Sequence, residues 1–357
     1  MNKKTEASNL FQKILRNREV GLSLVLIILI MLVGLRNPAF ATLSNLQFIL
    51  GDTSIMIILA IGMMCVLLVG SIDISISGIM ALSAMTAGIL MKNNLAQTEV
   101  LTLVDGIETA TMLKTSTPLI VLIMLAVSVG AACGAVNGLL ISYGGVLSIV
   151  ATLGMQYIIY GLSHLISGGQ AVYRKDMSEN FIQFTRGSML SLNSKVWIML
   201  AAFLILFLFI TYVRSGRRLY AVGSNREAAQ MSGINTKRTI LSAHIIMGAL
   251  AGLAGMLYAS HDNKITQDMA MGYEMYVIAA CVIGGVSVTG GSGRILGVAL
   301  GALTIGIINN GLTMLRLTGN SEFWKKAIQG AVILIAVITN VLIKRGHERR
   351  VLKERRL

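Results

Sequence analysis

Two stretches rich in glycine and serine, and one charged block, hold the residues with chemistry to offer. Gly284–Arg294 reads GGVSVTGGSGR. Such a composition suits a loop that wraps a phosphate with its backbone N–H groups. A nucleotide-binding P-loop, however, needs G-x-x-x-x-G-K-[ST], with the lysine reaching the terminal phosphates. No Gly-Lys dipeptide occurs in the chain, so the sequence offers no ATPase site of its own. The second stretch, Gly70–Gly78, reads GSIDISISG and sets Asp73 between Ile72 and Ile74. A charge at the centre of a bilayer costs at least about 2.5–3.5 kcal/mol, so an acid there needs a reason. The expected reason is structural. Asp73 is placed near water at the end of an apolar run, accepting backbone N–H groups or capping a helix that starts near Ser75 or Ser77. A proton-relay role is the alternative. His164 and His244 stand singly on apolar runs, and each is expected to make one interhelical hydrogen bond. Cys65, Cys133 and Cys281 all fall in apolar stretches and read as small buried hydrophobes rather than a disulfide or metal framework.

The elements that hold these residues are apolar. The chain has 357 residues, 55% hydrophobic and only 13% charged, where a soluble protein carries about a quarter charged residues. An all-α polytopic membrane protein follows. Its net charge is +14, but the basic residues flank apolar runs with no aromatic interleaving, which argues against nucleic acid. About ten transmembrane helices are expected: 20–35, 53–69, 78–91, 119–143, 146–167, 196–213, 239–260, a short one from 276 to the glycines at 284, 295–315 and 326–342. Residues 36–50, 92–118, 170–195 and 261–275 are expected as external loops. Ala39-Phe40-Ala41 imitates a signal-peptidase site, yet the apolar run before it approaches a full span, so it is expected to remain as the first helix. Both termini on one side puts 19 of the 30 Lys/Arg and 6 of the 16 acids there, and the positive-inside rule makes that side cytoplasmic. Residues 1–19 then form a cytoplasmic segment, 20–342 the transmembrane domain and 343–357 a basic cytoplasmic tail facing lipid headgroups.

The glycine-rich stretches interrupt this pattern at two corresponding places. Each runs from one apolar segment through Gly/Ser into another, as re-entrant or broken helices do. Such backbone is tolerated at membrane depth only where protein buries it or it lines a cavity, and paired interruptions point to a translocation path. The residues expected there are Gly70, Asp73, Ser75, Gly284, Gly285, Gly290, Gly291, Ser292 and Gly293; glycines that merely allow close packing are the alternative. The charged block, 214–238, is far longer than a connector needs. Asn225–Met231 is built of good helix formers, with Ser224 as expected N-cap and Gly233 as expected stop. A short cytoplasmic helix presenting Arg226, Glu227, Ala228, Ala229 and Met231 reads as a docking surface for a partner; a solvated loop that only sets topology is the alternative.

GSIDISIS, VATLGM at 150–155, GRRLYAVGSNREAAQMSGI at 216–234 and EMYVIAACVIGGVSVTGGSGRILG at 274–297 resemble the membrane permease of ribose-type bacterial ABC sugar importers. The similarity runs in order over nearly the whole chain. It implies two permeases, as copies or paralogues, paired with two cytoplasmic ABC ATPases in the inner membrane, and a sugar-binding protein that delivers a monosaccharide. ATP and magnesium would be held by the ATPase, leaving this chain without a cofactor. The block around Glu227–Gly233 would be the coupling element fitting a cleft on the ATPase. The family's Asp-Leu-Ser-Val-Gly appears here as Asp73–Ser77, and Leu147 stands near a usual proline. Relatives that import autoinducer-2 share these motifs, so the solute stays open. A self-powered carrier or channel and a branched-chain amino-acid permease are the other readings.

Overall fold

The computed structural model describes residues 18–104 and 107–315, with four isolated helical positions, Ala327, Gly330, Ala331 and Leu334. The basic tail, the first 17 residues and all but those four positions of the expected tenth span lie outside the described residues.

In chain order the helices are α1 (Arg18–Arg36), α2 (Leu43–Leu68), α3 (Ile76–Asn93), α4 (Leu119–Ser142), α5 (Ser148–Ser167), α6 (Glu179–Gln183), α7 (Ser194–Tyr212), α8 (Arg214–Ser224), α9 (Arg226–Met231), α10 (Thr236–Asp262), α11 (Tyr273–Ile283) and α12 (Ile295–Met314). Eight of them, α1 to α5, α7, α10 and α12, are long and apolar enough to cross a membrane. α11 is apolar but has only 11 residues. The protein is therefore a multi-pass helical membrane protein.

α2 is the central post. Its residues from Thr53 to Leu68 are all buried, so it is apolar on every side, as a helix surrounded by others must be. It begins ten residues earlier than expected. Thr42 caps it by accepting the Asn45 N–H, and Asn45 in turn bonds the Phe40 carbonyl and Asn310. Polar residues that resembled a loop are thus the partnered or exposed end of a longer helix. α10 packs along α2, α3 and α4. Against α4 the backbones touch: a Cβ on Gly130 would strike the Gly248 carbonyl, and one on Gly134 the His244 carbonyl. Small residues at four-residue spacing permit such approach where no hydrophobic effect drives helices together. α1 and α12 pair in parallel. Arg294 meets Glu19 at one end (3.0 Å) and Asn37 bonds the Met314 carbonyl at the other.

Residues 92–118 were expected as a polar loop and instead carry a hairpin, β1 (Ala96–Val104) and β2 (Ile107–Thr115), antiparallel from Ala96↔Thr115 to Val104↔Ile107. Alternating Thr and Val suit an extended backbone. Its neck is closed by Ser116 Oγ on the Met91 carbonyl and Asn94 Nδ2 on Thr117 Oγ1. The hairpin lies at the end of the bundle opposite the charged block.

Candidate functional site

The charged block folds as two helices rather than one. α8 is amphipathic: Gly216, Leu219 and Val222 are buried, while Arg214, Arg217 and Arg218 are exposed. Ser224 is the last residue of α8, not a cap; Asn225 caps α9, its side chain accepting the Ala228 N–H at 2.9 Å. Within α9, Ala229 is buried, Arg226, Glu227 and Ala228 face outward, and Met231 is 90% exposed. The stop is a Schellman motif. Ile234 N–H reaches the Ala229 carbonyl, Gly233 N–H reaches that of Gln230, and Gly233 takes φ +78°. Asn235 then caps α10 through the Arg238 N–H. The exposed helix is consequently fixed at both ends, with no slack before the long α10.

Beneath it the two glycine-rich interruptions meet. The Gly291 N–H donates to the Leu68 carbonyl at 3.0 Å, and a Cβ on Gly290 would come within 3.0 Å of Gly70 N and of the Gly223 carbonyl. Tyr220 Oη donates to the Gly293 carbonyl and Ser224 Oγ to that of Gly291. Ser287 N–H closes the loop on the Ser292 carbonyl. Gly285, at φ +91°, opens this turn, and Gly284 lies against the Gly297 backbone of α12. Gly70, Gly290, Gly291 and Gly293 therefore sit against α8, on the same end of the bundle as α9; Ser292 is exposed there.

Asp73 and Ser75 lie elsewhere, in the interior. Asp73 is fully buried, where the sequence suggested access to water. Oδ1 accepts from the Ser75 N–H (2.9 Å) and Oγ (2.6 Å), and Oδ2 faces His244 Nδ1 at 3.3 Å. Asn137 of α4 donates to Ser75 Oγ. His244 has a polar partner, but on the irregular segment before α3 rather than on another helix; His164 is on an exposed face. The segment 69–75 climbs into the bundle as irregular backbone, and α5 receives it. Ile72 N–H donates to Ser148 Oγ and Ile74 N–H to Thr152 Oγ1.

In the first turn of α3, Ser77 joins a second buried cluster that sequence reasoning missed. Its Oγ donates to Glu274 Oε2 (2.7 Å) and accepts from Gln156 Nε2 and Tyr160 Oη, each at 3.0 Å. Glu274 was placed in an external loop because it directly precedes an apolar run. It is only 6% exposed, in the first turn of α11, whose N-terminus favours an acid. Its depth follows from neighbours. α3 and α10 run the same way, since Asp73 meets His244 and the Met80 carbonyl faces Gly255. At 1.5 Å per residue, Ser77 lies roughly 15 Å below the Asp262 end of α10, a helix roughly 40 Å long. The cluster is well inside the membrane.

A helical bundle with buried polar groups at depth and a rigid, exposed basic element at one end defines a membrane permease. The family described as "Branched-chain amino acid transport system / permease component" matches residues 45–337, and the chain belongs to that family. It is 34% identical over 320 residues to the ribose import permease protein RbsC of Escherichia coli (strain K12), covering 89% of this chain and 92% of the relative. The D-allose transport system permease protein AlsC of the same strain is 33% identical over 326 residues, 91% of this chain and 92% of AlsC. The galactose/methyl galactoside import permease protein MglC, again of that strain, is 31% identical over 332 residues, 91% and 94%. No solved structure matches.

Proposed function

We propose that the chain is the membrane-spanning permease of an ATP-driven sugar importer in a bacterial inner membrane. The observation that carries this is similarity, over about nine-tenths of the chain, to permeases named for the import of ribose, allose and galactose. The exposed α9 supplies the mechanical counterpart. A short helix pinned by an Asn cap and a Schellman turn transmits displacement into α10 without flexing, as a coupling element must. In this reading α9 docks on a cytoplasmic ABC ATPase that holds ATP and magnesium. A second permease, copy or paralogue, completes the pore, and a sugar-binding protein delivers a monosaccharide at the hairpin end. The basic end is then cytoplasmic, with both termini on that side of about ten spans, as the positive-inside rule asks.

The family's description names branched-chain amino acids, which makes an amino-acid permease the second reading. Co-expression with the cognate ATPase and binding protein tests both. ATP-dependent uptake of a monosaccharide, absent when the ATPase is removed, is the expected result. Uptake of leucine instead selects the second reading, and concentrative uptake by the chain alone refutes both.

A further inference from the structure

We propose that one face of α5 lines the solute path, and that Gln156, Tyr160 and Glu274 form on it a binding station for a neutral polyhydroxylated solute. The inference rests on the permease reading above and adds where the solute is held.

The face is polar along its whole length. Ser148, Thr152, Gln156, Tyr160, Ser163 and Ser167 are spaced by four or three residues, which keeps them on one side of a helix. The other side is apolar and exposed, as at Ile149, Val150, Leu153, Ile158 and Leu165. The polar side faces the two segments where the membrane fold gives up regular helix. Ser148 and Thr152 hold the rising segment before α3, and Ser167 accepts the Gln267 amide from the segment before α11. Between these supports lies the Ser77–Glu274 cluster.

A cluster serving only to join helices has no need of an acid. Neutral groups would close the same bonds with a smaller desolvation penalty. Asp73 has a histidine beside it; among the described residues Glu274 has no cation within salt-bridge distance. Its partner is the Ser77 hydroxyl. Ser77 Oγ gives one hydrogen bond to Glu274 and takes one each from Gln156 and Tyr160. That is the full valence of a hydroxyl group, one donor and two acceptors. The three side chains thus already coordinate an alcohol in the manner a sugar hydroxyl requires, and Ser77 is the internal stand-in. A solute that draws Ser77 aside inherits its three bonds. One turn along the same face, Ser163 Oγ is fully buried with no partner, a polar position with capacity for a second hydroxyl. The charge pattern also selects. An acid with no companion cation repels a free carboxylate, so the station fits a neutral polyol and disfavours an amino acid.

The test uses the full chain with its cognate ATPase and binding protein, and D-ribose, D-allose and D-galactose as probes. Glu274→Gln and Gln156→Leu are expected to lower initial uptake at least tenfold, and unequally among the three sugars, while the ATPase still co-purifies with each variant. Full uptake by both variants overturns the proposal. If the variants fail to assemble, thiol labelling decides. In a background without the three native cysteines, Ser163→Cys should react with a membrane-impermeant thiol reagent during ATP turnover. The transported sugar should slow that reaction, and should not slow it at Leu162→Cys on the outer face. No labelling, or labelling indifferent to sugar, overturns the station. Wild type without ATP-dependent uptake of any of the three sugars refutes the importer reading and the station with it; normal wild-type uptake with indifferent variants refutes the station alone.

Discussion

Replacing Gly223 by alanine tests whether the joint between the basic block and the interior is backbone packed on backbone. A Cβ at Gly223 would strike the Leu68 carbonyl and come within 2.5 Å of Gly291 N. Neither atom belongs to a side chain that can rotate away. Overpacking of this kind costs about 1–3 kcal/mol. The Gly291–Leu68 hydrogen bond, which runs through the same contact, contributes about 1 kcal/mol more if it breaks. Against this, alanine in a helix gains up to about 1 kcal/mol over glycine. The net is a loosening of α8 by about 1–3 kcal/mol. Cys65 is the built-in reporter. It is fully buried on α2, one turn from Leu68, whose carbonyl meets Gly223 of α8. If labelling proceeds through local opening, its rate rises with the opening constant, so 1–3 kcal/mol corresponds to about a 5- to 150-fold increase. The assay is thiol labelling of the full chain in nanodiscs, with Cys133 and Cys281 replaced. Gly233→Ala is the control. Unlike Gly223, which is helical, it has a left-handed backbone (φ +78°), with open space around its Cβ, so its cost of about 1–2 kcal/mol stays in the α9–α10 turn and Cys65 labelling stays near wild type. A Gly223→Ala protein labelled no faster than wild type would show that the joint yields, and the reasoning would fail.

The remaining expectations are more direct. Ala229→Trp cannot fit the buried side of α9, and Gly233→Val opposes the Schellman turn, so each should reduce ATPase pull-down while membrane insertion persists; full association in both makes the block a solvated loop. Arg217→Gln and Lys237→Gln remove exposed charges and should alter uptake less than twofold, so a large loss in either would give those charges a role beyond topology. Asp73→Ala leaves His244 and the Ser75 N–H and hydroxyl without their acceptor, and His244→Ala leaves one Asp73 oxygen without its partner, each stranded group costing about 1–3 kcal/mol; in the double variant the losses should be clearly less than additive, and strict additivity would mean the 3.3 Å contact contributes nothing. Joining Leu95 to Ser116 through a short Gly-Ser linker should leave a folded, extractable bundle, because the Ser116–Met91 and Asn94–Thr117 bonds already bring the ends together; aggregation of that variant would assign the hairpin a structural role.

Long apolar runs announced the spans, because period and length suffice where each helix satisfies its own backbone. The expected ranges for α4, α7 and α12 agree with the structure within about two residues. The block at 214–238 was visible as charge out of place, though its division into two helices was not. Asn225 and Ser224 are equally good caps by type, and only the buried positions of α8 decide between them. The hairpin was missed because its polarity was weighed ahead of its alternation; Asp105-Gly106, a hairpin-turn dipeptide, was the passed-over sign. Misplacing Glu274 has a different cause. An acid at the edge of an apolar run looks like a loop residue unless the chain before it also enters the membrane, and that descent is long-range information. The stripe on α5 was present as spacing, but Ser, Thr and Gln spread among Ile and Leu do not interrupt hydropathy, so a search for interruptions passes over them.

The two buried acids show how this fold separates structure from chemistry. Irregular backbone inside a membrane must find partners for its N–H groups, and the segment before α3 finds them on α5 and on Asp73. Asp73 is committed to that work. One oxygen holds the Ser75 turn and the other faces His244, so a solute that took either would unfasten the start of α3. Glu274 holds no turn. Its bond is to the Ser77 hydroxyl, which could be exchanged for another without disturbing any backbone. The amide and phenol that complete that hydroxyl's shell sit on α5, whose rigid helix fixes their separation. An acid with a neutral, replaceable partner held by a rigid face is the arrangement a hydroxyl-bearing solute can enter and leave, because among the described residues no N–H of the fold depends on it.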